Sequence, residues 1–273
     1  MTPNTQISVT LSSELQLEQA LKNAGVENPA TVTKLTIAGT MMYKDCRYIG
    51  EAMAKTLQEL DISNASLEVN YIGGFRNCSS LTSIILPNSA VTIGGATSDE
   101  AFSHTGLTSI TIPNSVVYIG RYAFTGCKYL TSVTIPNSVT EIGEDAFSGC
   151  SALTSFTIPN SISEIRDSTF SDCKGLTVVT IPSSVKIIGA KAFEGCTSLT
   201  SITIPSSVTG IGEGAFNRCN AVITVHPDNP VYTSRNGKIV FKKIKNVSGR
   251  TDKLEWSISN RILTIKAENE DYL

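Results

Sequence analysis

The chain has 273 residues and a formal net charge of −2, and 41% of its residues are hydrophobic. That apolar fraction argues against intrinsic disorder, and the slightly acidic charge argues against nucleic acid as the principal partner. No stretch approaches the roughly 20 apolar residues needed to span a bilayer, and the polar N-terminus from Met1 to Gln6 lacks a secretory signal. We therefore expect a cytosolic protein or a mature extracellular domain without its leader.

The N-terminal part of the sequence predicts a strand and two helices, over residues 7–11, 14–23 and 41–56. In the first helix, Ser13 is expected to be the N-cap and Gln16 to complete a capping box. Gly25 stands just beyond the expected C-terminal end. The apolar side chains expected to face the interior are Leu15, Leu17 and Leu21.

A cassette of 23 residues recurs down the middle of the chain, and Leu130 to Ala152 is one copy. Its first residue returns every 23 positions at Leu107, Leu130, Leu153, Leu176, Leu199 and Val222. Its closing cysteine returns with the same step at Cys127, Cys150, Cys173, Cys196 and Cys219. A fixed period in the twenties indicates a solenoid of leucine-rich-repeat type, in which each unit packs only on its neighbours.

Within the cassette, apolar and polar residues alternate from Val133 to Ile135, which predicts a strand with one buried face. Pro136 would end that strand, because proline cannot donate to the next rung of a ladder. A second short strand is expected to turn its apolar residues inward, and Gly143 is expected to adopt a backbone conformation that other residues resist. A short helical turn closes the unit. The inward residues of these two later pieces are Val139, Ile142, Ala146, Phe147 and Cys150.

The pattern predicts nine stacked strands, beginning at residues 32, 57, 81, 107, 130, 153, 176, 199 and 222. We expect a right-handed superhelix with a parallel β-sheet on one face and short strands and helical turns on the other. An α/β cap would cover residues 1–56, the repeats 57–226, and a β cap or truncated further module 227–273. In that last part, Asn236-Gly237 is a strong turn signal, and strands are expected at 239–244, 254–259 and 262–266.

Six of the seven cysteines occupy the end of a repeat, and Cys46 lies in the second predicted helix. They lack the close pairs that zinc sites use. Disulfides between successive turns are an alternative, but side chains in one column point the same way, and Thr105 replaces cysteine in one unit. We interpret the column as small, buried free thiols.

The two histidines, His104 and His226, are far apart in the repeat array and are interpreted as surface residues. The sequence contains no phosphate loop, dinucleotide fingerprint or metalloprotease motif. Asp228 and Asn229 could bind calcium, although a turn is the simpler interpretation. The sequence therefore predicts no catalytic residues, metal or cofactor.

Two columns of small polar residues are expected on the exposed side of the strands. One contains Thr111, Thr134, Thr157, Thr180 and Thr203; the other contains Ser83, Ser109, Ser132, Ser155 and Ser201, interrupted by Val178. β-propensity and cross-strand hydroxyl pairing explain both columns. A flat, uncharged docking surface is the functional alternative.

Variation between copies suggests a second candidate site. Tyr118, Tyr122 and Tyr129 replace small or charged residues of other units, and exposed aromatic residues are frequent contact anchors. An insertion at Ala96–Asp99 adjoins this unit. Ordinary scattered surface tyrosines are the alternative. The segment Arg235–Lys253 carries seven basic residues against one acid, as a solvated hairpin or a patch that favours an acidic surface.

The repeated string Leu-Thr-Ser-Ile-Thr-Ile-Pro-Asn-Ser-Val…Ile-Gly…Ala-Phe…Gly-Cys resembles the BspA-like, or Treponema pallidum-type, leucine-rich repeat over residues 57–226. The segment Val32–Thr40 with Leu57–Ser63 resembles the N-terminal cap seen before such arrays in gut Bacteroides-type proteins. This resemblance implies a bacterial cell-surface or secreted protein that adheres to host proteins or other cells, and it brings no catalytic residues.

We therefore expect a non-enzymatic adhesion or protein-binding module that uses the solenoid face, with a monomer favoured. Its ligands would be proteins, including host extracellular-matrix or cell-surface proteins, or a glycan. A structural spacer that displays other domains without its own ligand is the alternative. An enzyme would need a cleft between the array and the C-terminal segment.

Overall fold

The computed structural model describes residues 5–94 and 100–242, together with the backbone of three later strands, and shows a solenoid of short parallel strands. Its helices are α1 (Leu17–Asn23) and α2 (Tyr43–Ala52), with a 3-10 helix at Pro29–Thr31. The strands in chain order are β1 (Thr5–Leu11), β2 (Val32–Met41), β3 (Glu59–Leu67), β4 (Tyr71–Ile72), β5 (Ser83–Ile85), β6 (Thr92–Ile93), β7 (Ser109–Thr111), β8 (Tyr118–Ile119), β9 (Ser132–Thr134), β10 (Glu141–Ile142), β11 (Ser155–Thr157), β12 (Glu164–Ile165), β13 (Val178–Thr180), β14 (Ile187–Ile188), β15 (Ser201–Ile204), β16 (Gly210–Ile211), β17 (Val222–Val225), β18 (Tyr232–Arg235), β19 (Lys238–Phe241), β20 (Val247–Arg250), β21 (Leu254–Ser259) and β22 (Ile262–Ala267).

The first sheet contains one strand from every coil, and neighbouring strands run parallel. In stack order its strands are β1, β2, β3, β5, β7, β9, β11, β13, β15 and β17, and they form four hydrogen-bonded ladders that lie side by side: β1–β2–β3–β5, β7–β9, β11–β13 and β15–β17. The nine strands predicted from the sequence are present, and β1 joins them as a tenth because it pairs in parallel with β2. The N-terminal strand is therefore the first rung of the stack.

The last rung departs from the 23-residue spacing. Val222 is the register partner of Ser201, which is 21 residues earlier, and Val222 is exposed whereas Leu199 is buried. The expectation that Val222 takes the place of the repeated leucine is therefore wrong. Two residues are missing between Cys219 and β17, so Ile223 takes the inward position beside Ile202.

The second sheet is built of two-residue strands from the returning part of each coil. Its strands are β4, β6, β8 and β10 in one hydrogen-bonded group and β12, β14 and β16 in another. Glu141 lies in register with Tyr118, and Ile142 with Ile119. Val139 and Ile142 are buried, as predicted for the second short strand of the cassette.

The segment predicted as a short helical turn is a run of tight turns that bonds to the next coil. In one coil, the N–H groups of Asp145, Phe147 and Gly149 donate to the carbonyl oxygens of Asp167, Thr169 and Ser171, at 3.0, 3.0 and 2.7 Å. Asp145 and Gly149 have φ values of +53° and +72°. We call this repeated arrangement the turn ladder.

A column of stacked phenylalanine rings runs through the interior. Neighbouring rings lie 5.2 to 5.9 Å apart between centroids. The column is Phe75, Phe102, Phe124, Phe147, Phe170, Phe193 and Phe216, and all but Phe216 are fully buried. The inward position predicted for Phe147 is confirmed, and the equivalent rings of the other coils share it. Burial of rings of this size is a large part of the hydrophobic stabilisation.

A close approach between coils, and not an unusual backbone conformation, distinguishes the site of Gly143, although Arg166 occupies the equivalent place one unit later. The φ of Gly143 is not positive, and a Cβ there would lie 2.5 Å from the backbone nitrogen of Arg121 in the coil below. The expected conformational reason is therefore wrong. The same close approach occurs at Gly212, where a Cβ would lie 2.3 Å from the nitrogen of Ala190.

The N-terminal helices are shorter than predicted, and one carboxylate in the first turn of α2 caps the starts of both. α1 begins at Leu17, with Gln16 as N-cap and no side-chain cap from Ser13, so the predicted capping box is wrong. The buried carboxylate of Asp45 accepts from the N–H of Leu17 at 2.9 Å and from the N–H of Met42 at 2.8 Å. One carboxylate thus serves the first turns of both helices.

The antiparallel hairpin β18–β19 closes the C-terminal end of the first sheet. Its turn is at Asn236-Gly237, as predicted, with φ values of +50° and +70°. The N–H of Ile223 in β17 donates to the carbonyl of Gly237 at 3.1 Å. Strands β20, β21 and β22 form a separate antiparallel sheet.

Candidate binding face

The outward residues of seven strands of the first sheet form one continuous surface without charge. These strands are β5, β7, β9, β11, β13, β15 and β17, and their outward residues are Ser83, Ile85, Ser109, Thr111, Ser132, Thr134, Ser155, Thr157, Val178, Thr180, Ser201, Thr203, Val222 and Thr224. All are exposed. We call this surface the hydroxyl face. Strand geometry spaces its residues by about 4.8 Å between strands and about 6.6 Å along a strand.

The register places the predicted threonine column in line. Thr111 pairs with Thr134, Thr157 with Thr180, and Thr203 with Thr224. The sequence column stopped at Thr203, and the shortened last coil brings Thr224 into it. The Oγ1 atoms of Thr203 and Thr224 lie 2.9 Å apart, so the column ends in a hydroxyl pair.

Most hydroxyl groups of this face have no partner among the described residues, whereas threonines just outside it do. Thr131 and Thr177 precede the strands and donate to the carbonyl oxygens of Thr108 and Thr154, both at 2.9 Å. Thr134 makes no such bond. Its hydroxyl, and those of its neighbours in the column, can therefore both donate to a ligand and accept from one.

The face is supported by the core directly beneath it. Between the outward residues of β11, Phe156 points inward and packs edge-on against Phe147 and Phe170, at 4.9 and 4.6 Å between ring centroids. Side chains fixed on a packed sheet are ordered before a ligand arrives, which lowers the entropic cost of binding.

The three candidate tyrosines lie on different elements. Tyr118 is in the second sheet, Tyr122 is in the turn ladder beneath the guanidinium of Arg121 (4.6 Å from Cζ to the ring centroid), and Tyr129 is 66% exposed in the connection to β9. Within residues 5–94 and 100–242 these rings make no contact with one another. The insertion at Ala96–Asp99, which was expected to adjoin them, lies outside the described residues.

The opposite side of each coil is charged, and its charges pair between neighbouring coils. Arg166 lies 2.8 Å from Glu141, and Arg121 lies 3.3 Å from Glu144. Exposed pairs of this kind contribute little stability. Each coil therefore has two surfaces of different chemistry. One carries paired charges, and the other, the hydroxyl face, is neutral and rich in hydroxyl groups.

The repeated thiols are structural. From Cys127 to Cys219, each repeated Sγ donates to a phenylalanine carbonyl one coil earlier, as Cys150 does to Phe124 and Cys173 to Phe147, both at 3.2 Å. All seven cysteines are free, which confirms the interpretation as free thiols. Burial raises the pKa of Cys173 to about 12, so this thiol is neutral at neutral pH and is not a nucleophile.

Asn229 is committed to a structural role that the sequence did not reveal. Its Nδ2 donates to the carbonyl oxygens of Pro205 and Val208, both at 2.8 Å, and its Oδ1 accepts from the N–H groups of Val231 and Tyr232 at 2.9 and 2.8 Å. The calcium alternative for Asp228 and Asn229 is therefore not supported at the Oδ1 atom of Asn229. The turn interpretation describes this residue better.

The described surface includes grooves at both ends of the repeat array. One of about 270 Å³ lies between α1 and α2, and one of about 650 Å³ lies between the last coil and the hairpin β18–β19. Across the part of the chain that the structure describes, no three His, Cys, Asp or Glu side chains group as a metal site. Neither described helix has the length and apolar character that crossing a bilayer requires.

The comparisons with known proteins agree with the repeat. A family model for the BspA type leucine-rich repeat region matches residues 49–97 and 95–223, with six copies. No curated protein matches significantly. Among solved structures, a leucine-rich repeat protein from Bacteroides ovatus is 26% identical over 68% of this chain and 69% of its own, with a TM-score of 0.45.

Two further solved structures are similar. The leucine-rich repeat protein of Treponema pallidum is 22% identical over 70% of this chain and 71% of its own, with a TM-score of 0.42. A leucine-rich cell surface protein from Faecalibacterium prausnitzii is 23% identical over 81% and 80% of the two chains, with a TM-score of 0.37.

Proposed function

Because the chain belongs to the family of proteins with BspA-type leucine-rich repeats, we propose that it is a non-enzymatic adhesion module, displayed at the cell surface or secreted, that binds a protein ligand through the hydroxyl face. The observation that supports this most is the uncharged row of exposed hydroxyl groups from Ser109 to Thr224 along successive parallel strands. Repeat proteins typically use such extended faces for binding.

The chemistry of the face favours many shallow contacts over one deep pocket. Unpaired hydroxyl groups such as that of Thr157 supply hydrogen bonds, and the exposed side chains of Ile85, Val178 and Val222 supply apolar contact. An uncharged surface keeps the desolvation cost of binding low. A host extracellular-matrix protein, another cell-surface protein or a glycan fits this chemistry.

The binding proposal is tested by a screen of immobilised extracellular-matrix proteins and glycans with the intact chain. In the double variant Thr134→Lys, Thr157→Lys, two charges stand in the middle of the hydroxyl face on adjacent strands. We expect at least a tenfold loss of affinity, because a ligand fitted to a neutral surface must then desolvate two ammonium groups.

A matched control carries the same side chain on the other side of the coil. Ile187 is an exposed apolar residue of the second sheet, beside Glu164 in register. Ile187→Lys should bind like the unmodified protein. Equal loss in both variants would remove the hydroxyl face as the site.

Two alternatives have their own outcomes in this screen. If Tyr118, Tyr122 and Tyr129 form the contact site, replacing the three with Ser abolishes binding while the lysine variant of the hydroxyl face still binds. If the chain is a spacer that only displays other domains, the unmodified protein binds nothing in the screen.

A further inference from the structure

The cysteine column that runs from Cys127 to Cys219 has different surroundings at its C-terminal end. Cys150 and Cys173 are fully buried between coils, whereas Cys219 is half-buried in the last coil. Cys219 also lines the groove of about 650 Å³ between that coil and the hairpin β18–β19. A small molecule in solution can therefore reach this sulfur while the stack stays folded.

Cys196 lies next to Cys219, at the equivalent place of the preceding coil. The carbonyl oxygen of Phe193 accepts from the N–H of Cys196 at 3.3 Å and from the Sγ of Cys219 at 2.8 Å, so both cysteines meet at one atom. The two coils are also joined beside the thiols, because the N–H of Gly195 donates to the carbonyl of Asn217 at 2.8 Å. The pair is therefore held in close register.

Another pair in the column shows how closely side chains of neighbouring coils approach. Thr105 takes the cysteine position one coil before Cys127, and its Oγ1 atom lies 3.3 Å from the Sγ of Cys127. Paired strands of stacked coils are about 4.8 Å apart, and a disulfide spans Cα atoms about 4.4–6.8 Å apart. A bond between stacked cysteines therefore needs their side chains to turn, without separation of the coils.

The chain after Cys219 is held differently from the chain after Cys196. In the regular coil the carbonyl of Cys196 accepts from the N–H of Leu199 at 3.2 Å. In the last coil two residues are missing at this place, and the N–H of Val222 donates instead to Thr200 of the preceding coil at 2.9 Å. The backbone at Cys219 thus has more freedom, and its side chain can turn towards Cys196.

The surroundings of Cys219 also favour its thiolate, which is the reactive form of cysteine. The thiol of Cys196 donates a hydrogen bond to this sulfur and lowers its pKa, although burial opposes the change. The same hydrogen bond raises the pKa of Cys196. In the interior of the column, burial raises the pKa of Cys173 to about 12. The column therefore ends in a reactive sulfur with a neutral thiol beside it.

We propose that Cys219 is a site of oxidation by peroxides and that Cys196 converts the product into a reversible disulfide. In the first step the sulfur of Cys219 attacks one oxygen of hydrogen peroxide and the O–O bond breaks. Cys219 becomes a sulfenic acid, oxidised by two electrons, and the other oxygen leaves as hydroxide, which solvent protonates to water.

The second step consumes the sulfenic acid. The sulfur of Cys196 attacks the sulfur of Cys219, and the S–O bond breaks as the S–S bond forms. The departing hydroxide takes the thiol proton of Cys196 and leaves as water. Two thiols and one peroxide thus give one disulfide and two waters, and an external dithiol reverses the reaction by exchange.

The disulfide joins the last coil covalently to the preceding one. The last coil carries Val222 and Thr224, so oxidation fixes the C-terminal end of the hydroxyl face to the rest of the stack. The oxidation site does not depend on the proposed binding function, because it is defined by the geometry of two thiols. A chain without a ligand in the binding screen could still form this disulfide.

The test is thiol mapping of the intact, reduced chain after brief treatment with hydrogen peroxide under native conditions. Iodoacetamide is added in denaturant, followed by trypsin, which cleaves after Arg218 between the two cysteines. We expect every thiol except Cys196 and Cys219 to be alkylated, and a disulfide to link the two peptides that carry them. Cys219 should be lost more than about tenfold faster than Cys173, because buried neutral thiols are inert. Dithiothreitol should restore all seven thiols.

Two variants separate the roles of the two thiols. In Cys196→Ala the second step is blocked, so we expect Cys219 to accumulate as the sulfenic acid, which dimedone traps, whereas the unmodified protein should give little adduct. Cys219→Ala should leave Cys196 reduced at the same dose of peroxide. Cys150→Ala is the matched control, because it removes a thiol of the same column away from the pair, and it should form the disulfide at the unmodified rate.

Several outcomes would overturn the proposal. After peroxide treatment of the unmodified protein, these are alkylation of all seven thiols, a disulfide of any other pair, a disulfide between two copies of the chain, or conversion of Cys219 to a sulfinic acid with Cys196 still reduced. A Cys196→Ala protein that keeps the circular dichroism of the folded chain and gives no dimedone adduct at Cys219 would overturn it as well.

Discussion

The phenolic oxygen of Tyr232 accepts a hydrogen bond from the backbone N–H of Ile211 at 3.1 Å. Ile211 belongs to β16, the last strand of the second sheet, so no following strand is present to take this N–H. The hydroxyl group of Tyr232, in the C-terminal hairpin, supplies the hydrogen-bond acceptor that the next coil would have supplied. Asn229 acts in the same way at the carbonyl groups of Pro205 and Val208.

Removing the hydroxyl group of Tyr232 should loosen the end of the stack. Tyr232→Phe keeps the ring and leaves the N–H of Ile211 without an acceptor, so we expect the free energy of unfolding to fall by about 1 kcal/mol. Urea denaturation measures the change. Tyr118→Phe, which removes the hydroxyl of a half-buried tyrosine that has no hydrogen-bond partner in the described structure, should cost nothing measurable. Equal effects of the two substitutions would contradict the capping role.

Close approach of the coils predicts which glycines tolerate a methyl group. Gly143→Ala forces a Cβ to 2.5 Å from the nitrogen of Arg121, and the expected loss of stability is about 1–3 kcal/mol. At Gly210 a Cβ would meet only the side chain of Ile187 at 3.5 Å, so Gly210→Ala should be neutral or slightly stabilising. Thermal unfolding of both variants gives the comparison. A stable Gly143→Ala protein would show that the coils can separate freely.

Native thiol labelling should start at one end of the cysteine column. Cys219 is half-buried, and a hydrogen bond with Cys196 lowers its pKa, whereas Cys150 is fully buried with a raised pKa. With iodoacetamide we expect Cys219 to react first and Cys150 to stay protected until the chain unfolds. Peptide mass spectrometry gives the order. In denaturant all seven thiols should react without reductant, and protection of any pair there would reveal a disulfide.

Alkaline pH should lower the stability of the folded protein, because the buried thiols of the cysteine column ionise more easily in the unfolded chain. Burial raises the pKa of Cys127 to about 11 and that of Cys173 to about 12, against 9.0 for an ordinary thiol. The unfolded chain therefore loses these protons first. Stability should be unchanged by thiol ionisation below pH 9.0 and should fall between pH 9.0 and about 12.

The control for that pH dependence removes the two thiols. In the double variant Cys127→Ala, Cys173→Ala, the urea midpoint should depend less steeply on pH between 9.0 and about 12 than in the unmodified protein. Tyrosine and lysine titrate in the same range and affect both proteins equally. Identical slopes would mean that the thiols ionise without unfolding the chain.

The repeat made most of the fold predictable. The 23-residue step of Phe124, Phe147 and Phe170 places chemically identical residues at identical sites, so one cassette predicts the interior of all of them. The same step predicts the alignment of Thr134 with Thr157 on the outer side. Local alternation and a fixed period were sufficient there, because each unit contacts only its neighbours.

The ends were less predictable because distant residues determine them. Asp45 caps a helix that starts 28 residues earlier. The sequence favoured a local N-cap at Ser13 for that helix, and no local pattern points to Asp45. The two-residue deletion before β17 moved Val222 out of the core, although aligning Ile223-Thr224 with Ile202-Thr203 reveals it. Asn229 and Tyr232 look like ordinary loop residues until their backbone partners are known.

The turn ladder gives the solenoid an electrical direction. In every coil the peptide units that end at residues such as Asp145, Phe147 and Gly149 point their N–H groups towards the C-terminal end. Each carries a dipole of about 3.5 D, and the dipoles add along the stack axis as they do in an α-helix. The negative pole lies against α2, where Gly50 approaches the carbonyl oxygen of Gly74, and the positive pole emerges beside the last coil.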